Sequence, residues 1–242
     1  MALVLVHGGC FTSECWAPTI PYLTGDVLAV DLPGRGRHPA DLRRVTVADW
    51  AASVVADIEA AGYDDVVLVG HSMAGLTVPR VAALIPAKIR RLVFVSCSVP
   101  RDGQTPQETL EESFDERVAV SSRDHMAGDH SDTGDVEIGL TPELATQMFC
   151  NDMTAEQTAA TLSMMVPEAT GVMGEPVDLT GLRTAIPRTW VRLTRDAVLT
   201  PQTQDTFIAN CGPDVEVVDL EAAHMAMISR PQELAAILNR YA

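Results

Sequence analysis

Six short apolar runs recur along the chain: Leu3–Val6, Val27–Val30, Val66–Val69, Leu92–Val95, Trp190–Leu193 and Val215–Val218. They read as near-continuous hydrophobic stretches rather than as alternations. That is the pattern of parallel strands covered on both faces. Helical patterns lie between them. Val47–Ala61 is amphipathic and stops at Gly62, and Met73–Ile85 ends before Pro86. Pro201–Ala209 follows the fifth run, and Pro231–Tyr241 closes the sequence with a proline in its first turn. Alternating strands and helices imply right-handed crossovers, and so predict an α/β fold with a doubly wound, mostly parallel sheet of about six strands.

One stretch breaks the rhythm. From Val99 to Pro187 no buried strand is evident. A polar, acidic segment (Arg123–Asp135) is followed by helical pieces at Pro142–Cys150, Thr154–Met165 and Leu179–Arg183. The gap is far too long for an ordinary crossover. It predicts a helical lid at 99–187 inserted into a core made of 1–98 and 188–242.

Composition narrows the class. The 242 residues are 47% hydrophobic and 21% charged, ordinary for one globular domain. A net charge of −16 argues against nucleic-acid or anionic-membrane partners and favours neutral or apolar substrates. The five cysteines are odd in number and form no CxxC, so free thiols in a reducing compartment are expected. The first residues have no basic n-region, and no apolar run approaches the roughly 20 residues of a membrane span. The expectation is a cytoplasmic protein.

The chemistry concentrates at Val66-Val-Leu-Val-Gly70-His71-Ser72-Met73-Ala74-Gly75. Here a G-x-S-x-A motif follows a buried strand and opens a helix. The sharp turn exposes Ser72 at the strand's C-terminal end, and small residues at Gly70 and Ala74 keep the turn clear. A serine hydroxyl needs a base, and in this chain order the base comes last, after an acid. His224 lies just after the last strand, at the C-terminal sheet edge where open parallel sheets bind ligands. Of the other histidines, His7 ends the first strand, His38 sits in a polar loop, and His71 points away from the site. His125 and His130 fall in the acidic segment. Asp196 follows Trp190–Leu193 at the same edge, placed to orient the imidazole. Asp214 precedes the last strand at its wrong end, and Asp219 lacks the required loop. The oxyanion donors are read as the amides of Met73, at a helix start, and Gly9, in the Gly-rich loop after the first strand.

Leu-Val-His7-Gly-Gly-Cys10, Asp31-Leu-Pro-Gly34-Arg-Gly36, Gly70-His-Ser72-Met-Ala-Gly75, Thr-Arg-Asp196 and His224-Met-Ala-Met227 occur in this order. Together they resemble the α/β-hydrolase superfamily, and within it the branch of plant-type methyl esterases and hydroxynitrile lyases. The resemblance covers both ends of the chain and fails over 99–187. It implies an α/β-hydrolase fold and a serine hydrolase that cleaves a small apolar or aromatic ester through an acyl-enzyme on Ser72, with no cofactor or metal. The lyases of the branch carry a lysine after the catalytic histidine, where this chain has Met225. They also carry a threonine where it has Gly8. His-Met-Ala-Met resembles the esterase members instead. Lactonases, carbon–carbon hydrolases, hydroxynitrile lyase-like enzymes and non-catalytic ligand receptors share the fold and stay open as alternatives.

Substrate contacts are expected from Gly8, Cys10, Met148 and Met225. Met148, Met153, Met164, Met165 and Met173 read either as lid core or as an adaptable pocket wall. Asp124-His125 and Asp129-His130 look like repeated metal-ligand spacing, but a solvated polar run is the better reading. The Gly34-Arg-Gly36 segment lacks the G-x-G-x-x-G pattern of a dinucleotide site. A homodimer, through the lid or an edge strand, is compatible with the sequence.

Overall fold

The computed structural model describes residues 1–113 and 140–242. Six strands form one parallel sheet: β1 (Ala2–Val6), β2 (Asp26–Val30), β3 (Val66–Ser72), β4 (Ile89–Cys97), β5 (Arg188–Leu193) and β6 (Val215–Leu220), in the order β2-β1-β3-β4-β5-β6. All six apolar runs became strands, and every pairing is parallel. The order reverses between β1 and β3, and the C-terminal ends of strands at such a reversal are the usual ligand position in sheets of this kind.

Alternate side chains of each strand feed two separate cores. Val4, Val6, Leu68, Leu92 and Phe94 face one side, where α1 (Val47–Ala60) and α2 (Thr77–Leu84) pack with Trp50, Val54, Ile58 and Val81. Leu3, Leu5, Val67, Val69, Val93 and Val95 face the other, against Phe11, Trp16, Phe149 and the C-terminal Leu234 and Leu238. This double covering is why the strands read as continuous apolar runs, with each full aliphatic burial worth about 1.5–3 kcal/mol. The α1 start is fixed by a capping box between Thr46 and Asp49.

Between β4 and β5 the described helices are α3 (Pro106–Ser113), α4 (Pro142–Phe149) and α5 (Ala155–Ser163). The polar α3 was not anticipated. Ala169, Val172, Val177, Leu179, Leu182 and Ile186 bury into the α1/α2 face, so the end of this stretch is continuous with the core. The chain closes with α6 (Pro201–Asn210), a single turn α7 (Ala226–Ser229) and α8 (Pro231–Leu238).

The expected helix Met73–Ile85 is broken. It opens as a 3₁₀ turn at Met73–Gly75, and α2 starts only at Thr77. The tight turn at Ser72 forces the departure, because the chain must reverse sharply before an α-helix can begin. Among the described residues no helix is long and apolar enough to cross a membrane.

Candidate active site

Ser72 ends β3 with φ 52° and ψ −118°, a left-handed region that costs a non-glycine residue about 1–3 kcal/mol. Small neighbours make the turn feasible. A Cβ on Gly70 would lie 2.7 Å from Val78 Cγ2, and one on Gly75 would lie 2.2 Å from the Ser98 carbonyl oxygen. Gly75 is thus as necessary to the turn as Gly70, although the motif alone pointed to Gly70 and Ala74.

The Ser72 hydroxyl lies 2.9 Å from His224 Nε2, and His224 Nδ1 lies 2.7 Å from Asp196 Oδ2. Asp196 and His224 are both shut off from solvent. An ionised carboxylate only accepts, so Nδ1 carries the proton and Nε2 presents its lone pair to Ser72. Asp196 Oδ1 accepts from the amides of Val198 and Leu199, which locks the carboxylate in place. The Phe149 ring stacks on His224 with centroids 5.8 Å apart. Asp219 pairs instead with Arg192 on the surface, and Asp214 precedes β6.

Ser96 also belongs to the site, and sequence reasoning missed it. β3 pairs His71 with Val95 and then Ser72 with Cys97, so Ser96 is an extra residue in β4. Its φ is 41°. Such a bulge re-aims a side chain, and here it turns the Ser96 hydroxyl onto Asp196 Oδ2 at 2.6 Å.

The other histidines shape the frame. His7 Nε2 accepts from the Leu32 amide, and its Nδ1–H donates to the Gly8 carbonyl. Burial first, and then nearby Arg35, lower its pKa to about 3. His71 Nε2–H donates to the His224 carbonyl. Burial and the adjacent His224 hold His71 neutral, well below the usual imidazole range. His38 pairs with Asp57. His125 and His130, with Asp124 and Asp129, lie outside the described residues. Among the described residues no three His, Cys, Asp or Glu side chains are grouped to hold a metal.

The loop after β1 runs against the serine turn. A Cβ on Gly8 would stand 2.8 Å from Ser72 Cβ, and one on Gly9 would stand 3.0 Å from Met73 Sδ. At Gly8 only a glycine lets the backbone approach so closely, while a side chain at Gly9 would require the Met73 and Glu168 side chains to give way. Among the described residues neither the Gly9 nor the Met73 amide donates to another protein group. Cys10, at φ 61°, donates its amide to Glu168 Oε2 at 2.7 Å, and its carbonyl accepts from the Val166 amide at 2.9 Å. Glu168 pairs with the buried Arg35, whose Nη1 lies 3.0 Å from Oε2. Arg35 also sits over the Trp50 ring. Burial, and then Glu168, push the half-buried Cys10 thiol up to about 12.

The expected apolar contacts separate. Met148, Met153, Met164 and Met165 pack, partly buried, on the core face that holds Phe149, while Met225 is fully buried within it. Met173 departs from the group. It lies on a 3₁₀ turn whose Val172 packs into the α1/α2 face. An open groove edged by Arg183, Arg188, Gly212 and Pro213 lies by the starts of β5 and β6 and shares no residue with the Ser72 site.

The profile of the alpha/beta hydrolase family matches residues 3–237. Esterase PIR7B of Oryza sativa subsp. japonica is 29% identical over 256 residues, covering 99% of this chain and 94% of that protein. A carbendazim hydrolyzing esterase of Nocardioides sp. (strain SG-4G) is 28% identical over 237 residues, covering 96% of each. An extracellular alpha/beta-hydrolase from a Paenibacillus species, described as sharing structural and functional homology with tobacco salicylic acid binding protein 2, superposes with a TM-score of 0.86. It covers 100% of this chain and 98% of that one at 23% identity, which establishes the fold alone.

Proposed function

From membership of the alpha/beta hydrolase family, to which this chain belongs, we propose that the enzyme hydrolyses small apolar or aromatic carboxylic esters through an acyl-enzyme on Ser72. The observation that carries this is the unbroken Ser72–His224–Asp196 hydrogen-bond chain of 2.9 and 2.7 Å. His224 Nε2 takes the Ser72 proton as Oγ attacks the ester carbonyl. The imidazolium so formed is stabilised by Asp196, which itself stays ionised. The amides of Gly9 and Met73 hold the oxyanion, and preorganised donors there lower the barrier most. His224 then protonates the departing alkoxide. Water, deprotonated by the same nitrogen, attacks the acyl carbonyl and returns Ser72.

The four methionines between Leu140 and Glu168, packed beside Phe149, favour an apolar acyl or alcohol group. That part of 99–187 is the lid over the site in this reading. The esterases among the relatives, one of them named for carbendazim hydrolysis, support ester chemistry. Cyanohydrin cleavage is disfavoured by the buried, uncharged Met225 next to His224 and by the absence of room for a Cβ at Gly8.

Hydrolysis of p-nitrophenyl esters from acetate to octanoate, by wild type and Ser72→Ala, tests the reading. Activity that disappears in the variant supports it, and the chain-length profile sizes the pocket. Wild type inert on the whole series would remove the ester assignment.

A further inference from the structure

The loops that carry Asp196 and His224 are joined by a two-residue turn from the β4–β5 stretch. Asn151 Nδ2 donates to the carbonyl of Arg195, the residue before Asp196, at 2.9 Å. Asp152 Oδ2 accepts from the amide of Ala223, the residue before His224, at 3.0 Å. The same oxygen accepts from Ser229 Oγ at 3.0 Å. Ser229 ends α7, so Asp152 grips the His224 segment on both sides of the histidine. The Arg195 amide in turn donates to Ala222 at 3.0 Å, which closes a ring of backbone around acid and base.

The Asp152 side chain is only 1% exposed, and among the described residues the cation paired with it, Arg230, is 3.8 Å away. Its second oxygen, Oδ1, is buried with no partner among the described residues. A buried carboxylate left half satisfied is costly, so a packing role alone gives it little reason to be there. Phe149, three residues upstream, stacks on the His224 ring. The end of α4 reaches the imidazole face through Phe149, and the turn after it reaches the backbone on both sides of His224 and the backbone leading into Asp196. None of the Asn151 and Asp152 contacts touches the reacting atoms.

We propose that Asp152, assisted by Asn151, is the positioning residue that holds His224 in register with Ser72 and Asp196. This rests on the serine-hydrolase reading above. A displacement of about 1 Å at a catalytic group costs up to about 100-fold in rate. Asp152→Ala removes both grips and is expected to lower kcat by about that factor with KM nearly unchanged. Asp152→Asn keeps an oxygen acceptor in the same place and is expected to recover most of the rate, to within about fivefold of wild type, the difference between charged and neutral hydrogen bonds. Exposed Asn151→Ala is expected to lose about fivefold.

The experiment pairs kcat and KM on p-nitrophenyl esters, per folded molecule, with the far-downfield proton NMR signal of His224 Nδ1–H, assigned by its loss in His224→Ala. Weakening or loss of that signal in Asp152→Ala, with kcat falling at constant KM and recovery in Asp152→Asn, supports the proposal. A folded Asp152→Ala with unchanged signal and kcat overturns it. If Asp152→Ala does not fold, Asn151→Ala decides: loss of rate at constant KM supports the proposal, and wild-type signal and kcat in it overturn it. A wild type inert on every ester defeats the hydrolase reading instead, and the NMR signal still decides the positioning role.

Discussion

Ser96 and Asp196 lie 100 residues apart, yet the Ser96 hydroxyl donates to Asp196 Oδ2 at 2.6 Å, the oxygen that also accepts from His224 Nδ1. The contact exists because β4 carries one residue more than β3 at its C-terminal end. Ser96→Ala is expected to lower kcat about tenfold at constant KM, the cost of one hydrogen bond to a charged group. Steady-state kinetics on the best p-nitrophenyl ester checks this, and an unchanged kcat would show Ser96 to be a bystander.

Glu168 serves Arg35 as a counter-ion and the Cys10 amide as an acceptor. The Arg35 side chain is 2% exposed, so Glu168→Gln strands a buried cation. A loss of about 3–5 kcal/mol is expected from that single change. Arg35→Met combined with Glu168→Gln removes the charge but keeps an acceptor for Cys10, and is expected to regain most of the stability. Urea denaturation of the three proteins measures it. A Glu168→Gln variant as stable as wild type would contradict the coupling.

Stability should also respond to acid through His7 and His71. Both are buried and neutral, His7 with its pKa near 3 and His71 well below the ordinary value of 6.5. Unfolded, both bind a proton below about 6.5, so the unfolded state gains protons that the folded state does not take. Their contribution is fully present above pH 6.5 and is lost as pH falls toward the folded values. The slope reaches about 1.4 kcal/mol per pH unit for each histidine. Urea midpoints between pH 7.5 and 5 should therefore fall steadily below 6.5. His71→Asn should flatten the slope by about one proton, and a slope identical to wild type would contradict the assignment.

Much of the fold and half of the site could be read from local sequence. Strands covered on both faces advertise themselves as unbroken apolar runs, and the Ser72 turn is encoded within six residues. Asp196 and His224 could be placed because each follows a recognisable strand. Ser96 could not, because a bulge is a property of the pairing between β3 and β4 rather than of β4 alone. Arg35 with Glu168, and Asn151–Asp152 with Arg195 and Ala223, are contacts across long stretches of chain between residues that read as ordinary loop polars. The interruption at Leu76 was hidden because the sequence on either side keeps a helical pattern.

All five cysteines are free, and burial raises each thiol above its ordinary pKa, those of Cys10 and Cys211 to about 12. Thiolate is the reactive form. At pH 8 the native protein should react slowly with a disulfide reagent such as DTNB, and all five thiols should react once it is unfolded. Rapid native labelling of Cys10 would contradict the environment described beside Glu168.

The most direct test of the Ser72 mechanism is mass spectrometry of enzyme quenched during turnover of a p-nitrophenyl ester. A peptide carrying the substrate acyl group on Ser72, absent from Ser72→Ala and slow to form in His224→Ala, is the expected result. Continued hydrolysis by Ser72→Ala, or turnover with no acyl group on Ser72, would contradict it.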